Sequence, residues 1–88
     1  MHAVLLSVFM ETTNALRGLA AELDARGWRT ALRAGTLTVT NPDAPRLTDA
    51  ITCDGRAFWW TWGQEAGPAD DVVGVADRIV HVLRTVTP

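Results

Sequence analysis

The run Phe58-Trp59-Trp60-Thr61-Trp62 constrains the fold more than any other segment of this chain. It holds three of the four tryptophans. The run is too aromatic for a loop and too short for a helix of its own, so it predicts a β-strand. Neighbouring side chains on a strand point to opposite faces. We therefore expect Phe58, Trp60 and Trp62 to share a core face, with Trp59 on the other face of the sheet.

Two short turn signals predict two β-hairpins. Ala34-Gly35 closes the first hairpin and Asp54-Gly55 the second, with a break over residues 41–45 between them. The predicted pairs are Leu32 with Leu37, Thr30 with Val39, Arg29 with Thr40, Cys53 with Arg56, Ile51 with Phe58, Asp49 with Trp60, and Leu47 with Trp62. Asp49 is then a carboxylate on an apolar face, which indicates a sheet margin, a capping role or a β-bulge that shifts the register.

Apolar residues at helical spacing predict two helices. The first covers about residues 4–26 and ends before Gly27, with Glu22 and Arg26 four apart in the favourable order. The second follows a loop at 63–67 and begins near Pro68 and Asp70 or Asp71. The expected buried positions are Leu16, Leu19, Ala20, Leu23, Val72, Val75, Ala76, Ile79 and Leu83. Residues 85–88 are expected to form a frayed tail.

These elements predict one compact α+β domain over residues 1–88, in the order α-β-β-β-β-α. The expected architecture has two layers, with two helices on one face of a four-stranded antiparallel sheet that follows chain order. A hydrophobic run at residues 3–10 is followed at once by Glu11 and lacks a basic flank, so it does not predict a signal peptide. It is expected to form the first turns of a buried helix or a partly ordered lead-in.

The composition and motifs favour a binding protein over an enzyme. A net charge of −2 gives no general attraction to nucleic acid or anionic lipid. Cys53 is the only cysteine, which excludes an intramolecular disulfide and fits a cytoplasmic location. Asp77 and His81 are four apart, but no nucleophile or third partner accompanies them, so an exposed surface pair is expected. The sequence predicts no catalytic residue, no cofactor and no metal.

The strand face opposite the core is the candidate functional surface. Threonine is an ordinary strand residue on a solvated surface, which accounts for most of this face. Trp59 is different, because interface hot spots are enriched in tryptophan and arginine. We expect a protein-interaction face, for a protein partner or for self-association as a homodimer, made of Trp59, Arg29, Arg33, Thr38 and Thr61.

Two other uses of the tryptophans stay open at this level. One is a small-molecule site in an apolar pocket near Trp28, Trp60 and Trp62. The other is base stacking on the sheet, which the single outward aromatic residue and the acidic net charge disfavour.

Several segments together resemble a group of small uncharacterised actinobacterial α+β proteins. They are Phe58–Gly63, Gly67–Asp71, Ala76–Ile79 with Leu83, the leucine run 16–23 with Gly27-Trp28, and Val39 with Asn41-Pro42. The resemblance covers about residues 15–84, and its motifs are structural. It implies no catalytic role for any residue, and association with helix-turn-helix regulators is the expectation that it carries. Ala66 departs from the pattern, which has a larger apolar residue at that position.

Overall fold

The computed structural model describes residues 2–84, with side chains from Thr12 onward. The predicted tail at 85–88 and the side chains of residues 1–11 lie outside this description. The elements in chain order are α1 (His2–Ala25), β1 (Arg29–Arg33), β2 (Thr36–Asn41), β3 (Ala44–Cys53), β4 (Ala57–Trp60), β5 (Glu65–Pro68) and α2 (Val72–Arg84). The α+β class and the two helices are confirmed, but the sheet has five strands rather than four.

The sheet is antiparallel and follows chain order, β1-β2-β3-β4-β5, as the sequence predicted. The first hairpin has the predicted register, with Arg29 opposite Thr40 and Leu32 opposite Leu37. Its turn has positive φ at both central residues, 51° at Ala34 and 78° at Gly35. Positive φ at both positions defines a type I′ turn, whose twist matches that of the strands it joins.

The second hairpin has a different register from the predicted one. Cys53 pairs with Phe58 and Ile51 with Trp60, so the pairings predicted for Cys53 and Ile51 are wrong by two residues. The pairings predicted for Asp49 and Leu47 are also wrong, because β4 ends at Trp60 and does not extend past Ile51. The side chain of Asp54 accepts the N–H groups of Arg56 and Ala57, each at 2.9 Å, and this holds a longer loop than the two-residue turn. Because side chains alternate with a period of two, the shift leaves Phe58 and Trp60 on the core face and Trp59 on the outer face, as predicted.

The fifth strand, β5, replaces the predicted loop at 63–67. It pairs with β4 through a bulge, with Gly67 opposite Phe58 and Glu65 opposite Trp59. Gly67 has a φ of 150°, and a Cβ atom there would lie 2.7 Å from Cγ2 of Val75 in α2. Gly67 therefore lets the backbone of β5 approach α2 closely. The sequence did not predict this strand, because a short segment rich in Gly and Pro carries no strand signal.

The predicted break between the hairpins is a tight turn organised by Asn41, which is 7% exposed. The Asn41 carbonyl oxygen accepts the N–H of Asp43 at 2.9 Å. Its amide nitrogen donates to the carbonyl of Leu83 at 3.3 Å, in the last turn of α2. One side chain thus closes the β2–β3 turn and also satisfies a terminal carbonyl of the helix.

Both helices lie on the same face of the sheet and enclose one core. The fully or nearly fully buried side chains are Leu16, Leu19, Leu23, Leu37, Val39, Ile51, Phe58, Trp60, Ala66, Val75, Ala76, Ile79 and Leu83. Asp71 accepts the N–H of Gly74 at 3.1 Å, so it is the N-cap of α2. Arg26 joins the helices, since it pairs with Glu22 at 3.0 Å, as predicted, and also with Asp77.

Replacing Gly67 with alanine tests the contact between β5 and α2. Gly63 also has a positive φ, 103°, but a Cβ atom placed there would have no neighbouring atom within 4 Å, so Gly63→Ala is the matched control. Both variants acquire backbone strain, and only Gly67→Ala also overlaps Val75. We expect Gly67→Ala to lower the free energy of unfolding by about 1–3 kcal/mol more than Gly63→Ala, measured by urea denaturation. Equal losses would contradict the close packing of β5 on α2.

Candidate interaction face

The outer side of the sheet carries no helix in the part of the chain whose side chains are described. We call this surface the open face and define it by these residues: Arg29, Ala31, Arg33, Thr36, Thr38, Thr40, Thr48, Ala50, Thr52, Trp59, Thr61 and Glu65. None of them belongs to the core cluster or packs against it. Since the two helices cover the opposite face, the open face is the side of the sheet that a partner can reach.

Trp59 is partly buried on the open face, and its ring is held in place. The indole N–H donates to Oδ2 of Asp54 at 2.9 Å. The backbone N–H groups of Ala57 and Arg56, and then the indole N–H, stabilise the carboxylate and lower the pKa of Asp54. The anchor is therefore ionised at neutral pH, and it fixes the direction of the one large aromatic side chain on this face.

The other predicted members of the site are spread over the open face. Arg29 and Arg33 are exposed on β1, whereas Trp59 lies on β4. Three strand spacings separate β1 from β4, or roughly 14 Å. Thr38 lies between Ala31 and Ala50 near the centre, and Thr61 follows β4, with its N–H donating to the carbonyl of Ala50 at 3.1 Å. The structure places all five residues on one face, but it does not bring the arginines next to Trp59.

Charge is distributed unevenly across the open face. Arg29 and Arg33 are exposed at the β1 edge. At the other side Glu65 is exposed on β5, and the β3–β4 loop carries the exposed residues Asp54 and Arg56. Trp59 pairs directly with Glu65. The open face thus has a basic edge, Arg29 and Arg33 on β1, and an acidic edge, Glu65 on β5, with threonine, alanine and Trp59 between them. Sequence reasoning missed this pattern because Glu65 was assigned to a loop.

Trp62 is not part of the core wall, which corrects the sequence expectation. It is 56% exposed because β4 ends at Trp60, although Phe58 and Trp60 are buried as predicted. The ring of Trp62 stacks on that of Trp60, with centroids 5.5 Å apart. Its indole N–H donates to Oδ2 of Asp49 at 2.9 Å. Asp49 lies within β3 opposite Val39, and it is not opposite Trp60, so the predicted conflict with Trp60 does not arise.

The three tryptophans of the alternative small-molecule pocket lie at different positions along the sheet. Trp60 and Trp62 stack on each other, but Trp28 immediately precedes β1. Trp60 is in line with Leu32 across the sheet, and Trp28 lies four residues before Leu32 on the chain. The Cα atoms of Trp28 and Trp60 are therefore roughly 19 Å apart, from three strand spacings and four residues of strand.

The side chains outside the open face that could carry out chemistry, Cys53 and Asp77, are engaged in contacts within the fold. Cys53 faces Phe58 rather than Arg56, and burial raises the pKa of its thiol, although the N–H of Gly55 donates to Sγ at 3.4 Å. Asp77 is paired with Arg26. Among the residues whose side chains are described, no three His, Cys, Asp or Glu residues are grouped so that they could hold a metal ion. Neither described helix is long and apolar enough to cross a membrane.

Comparisons with known proteins add no relative: no protein-family model, curated protein or solved structure matches this chain. The candidate site therefore rests on its own geometry.

Asp54→Asn tests the anchor of Trp59. Asparagine has only one carbonyl oxygen, and the N–H groups of Arg56 and Ala57 bind to it. Its NH₂ group then faces the indole N–H of Trp59, and an NH₂ group cannot accept that hydrogen bond. We expect faster solvent exchange of the Trp59 indole proton in NMR spectra, with that of Trp62 unchanged as the internal control.

The pH dependence of the wild type tests the same anchor, because protonation of Asp54 breaks its hydrogen bond with the Trp59 indole. Because the pKa of Asp54 is lowered, protection of this proton persists at and above the usual aspartate pKa and disappears as the pH falls through the lowered value. Early loss, at or above the usual pKa, would contradict the anchor.

Proposed function

We propose that this protein is a non-enzymatic, cytoplasmic protein-binding domain of the regulatory accessory type, which associates with a second copy of itself through the open face. The observation that carries the proposal is an uncovered sheet face with Trp59 held by Asp54 at 2.9 Å. A tryptophan on a solvated strand contributes little to the stability of the fold, whereas at an interface it supplies a large apolar contact.

The charge distribution of the open face makes it complementary to itself. A two-fold axis parallel to the strands places β1 of one copy over β5 of the other. Arg33 pairs with Thr36, and Trp59 pairs with Thr52 and Glu65. The β2–β3 register continues this row across the sheet. Such an axis therefore brings the basic edge of each copy over the acidic edge of the other, with Arg33 facing Glu65.

Small side chains in the centre of the face permit close approach. Ala31, Thr38 and Ala50 form one row across β1, β2 and β3. Two sheets that pack face to face lie about 10 Å apart, and their side chains interdigitate in the space between them. Trp59 supplies bulk on one side of this surface, opposite the threonines of the second copy.

The size of the face predicts a weak association. The strand spacing and the rise per residue give the five-stranded sheet a footprint of roughly 300–400 Å², below the approximately 800 Å² per partner of a standard interface. The dimer should therefore dissociate on dilution through the micromolar range. Trp59 is already oriented in the free protein, which lowers the entropy lost on binding.

Analytical ultracentrifugation over a concentration series tests the proposal. Trp59→Ala removes the main apolar contact, and Thr38→Arg places a bulky charge at the centre of the face, so each should weaken association by at least about tenfold. Trp62→Ala is the matched control, because it removes a more exposed tryptophan from the helix side of the sheet margin. A wild-type protein that stays monomeric at millimolar concentration would refute self-association.

A charge exchange provides a second, independent check on the orientation. Arg33→Glu alone and Glu65→Arg alone each place like charges opposite each other in the proposed dimer and should weaken it. The double variant Arg33→Glu/Glu65→Arg restores opposite charges and should recover the wild-type dissociation constant within about threefold. Additive losses in the double variant would rule out the proposed two-fold arrangement.

A further inference from the structure

The two edges of the sheet differ in their capacity to accept another strand. β5 is four residues long, contains a bulge and ends with Pro68. Short length, bulges and proline are the features by which proteins block strand addition. β1 has five residues in unbroken register with β2 and contains neither a bulge nor a proline. The β1 edge is therefore the one that can pair with another chain.

The type I′ turn determines which backbone groups of β1 point away from the sheet. In a two-residue hairpin the pair that flanks the turn, here Arg33 and Thr36, exchanges hydrogen bonds, and the alternation continues along the strand. Arg29, Ala31 and Arg33 thus bond to β2. Thr30 and Leu32 direct their N–H and C=O groups to the free edge, where the described residues supply no main-chain partner outside the strand ladder.

The side chains along this edge define the partner. Arg29 and Arg33 are exposed, share one face and are separated by Ala31. A second copy that pairs antiparallel over the full strand would place its Arg33 opposite Arg29, and like charges directly opposite are destabilising. Acidic residues four apart would instead meet both arginines. On the other face, Leu32 packs against the core, so an apolar residue beside it would extend the core.

We propose that the free edge of β1 binds an extended acidic segment of another protein, which adds a sixth strand and places two carboxylates, four residues apart, against Arg29 and Arg33. The segment has apolar residues at the second and fourth positions and a small residue between them. This β-augmentation takes its affinity from backbone hydrogen bonds and its selectivity from the alternate side chains. It uses the backbone edge of β1, which adjoins the open face and shares Arg29 and Arg33 with it, and it extends the proposed binding function to a second partner.

Synthetic peptides test the charge preference. The probe is a fluorescein-labelled peptide with the core Glu-Val-Thr-Val-Glu, and the matched control has lysine at both glutamate positions. Fluorescence anisotropy should give binding of the acidic peptide at least about tenfold tighter than that of the basic one. The double variant Arg29→Glu/Arg33→Glu should reverse the preference. Equal binding of both peptides, or no reversal, would overturn the proposal.

A backbone variant separates strand addition from simple charge attraction. Thr30 donates its hydroxyl to Asp24 at 2.7 Å, and both Thr30→Pro and Thr30→Ala lose this bond. Only the proline also removes the N–H that faces the free edge, and an edge position of this kind tolerates proline. We expect Thr30→Ala to bind the acidic peptide within about twofold of wild type and Thr30→Pro to lose at least about tenfold. Equal affinities for the two would exclude strand addition.

Two further measurements separate loss of strand addition from misfolding, and peptide binding from self-association. Circular dichroism shows whether Thr30→Pro is folded; if it is not, the charge reversal at Arg29 and Arg33 decides the question. Trp59→Ala should keep peptide binding even where it abolishes self-association, so the two proposals fail separately. Loss of peptide binding in a folded Trp59→Ala protein would place the peptide on the open face and overturn the edge site.

Discussion

Burial of Phe58 and Trp60 beneath the helices is the constraint on which the rest of the arrangement depends. Both are almost completely inaccessible to solvent, and they lie on alternate positions of β4. The pleat of the strand then leaves Trp59 no position except the outer face. This consequence survives the two-residue error in the predicted register, because a shift by an even number preserves the faces. The position of Trp59 therefore follows from the alternation of faces along β4. This alternation is easier to predict than the exact register between β3 and β4.

Alternation of faces and turn chemistry explain what the sequence could predict. Ala34-Gly35 closes a two-residue turn whose geometry leaves one register, and the predicted pairs were right. At Asp54-Gly55 the same logic failed, since the Asp54 carboxylate accepts two loop N–H groups and lengthens the connection. The prediction of a two-residue turn from an Asp-Gly pair does not account for a side chain that accepts hydrogen bonds from the loop backbone.

The features that sequence reasoning missed are specified by tertiary contacts. β5 depends on Gly67 lying against Val75, a residue eight positions later in α2, and no local propensity encodes that approach. Trp62 continues the alternation of β4 after the strand has ended, so the pattern alone assigned it to the core. Its place against Asp49, thirteen residues earlier, is set by the fold. Local pattern therefore determined which faces are buried, while long-range packing determined where the sheet stops.

The two proposed surfaces share Arg33, and this links them. In the proposed face-to-face dimer Arg33 would lie over Glu65 of the second copy, whereas the strand proposed to add at β1 would place a carboxylate beside the same guanidinium. A carboxylate at the edge neutralises Arg33 and weakens its attraction to the second copy. By thermodynamic reciprocity, dimerisation must weaken binding of the acidic segment by the same factor. The two proposals together predict that the acidic segment favours the monomer and that a high concentration of the domain favours the dimer. Under the two proposals, Arg33 couples partner binding to oligomeric state without any change in the fold.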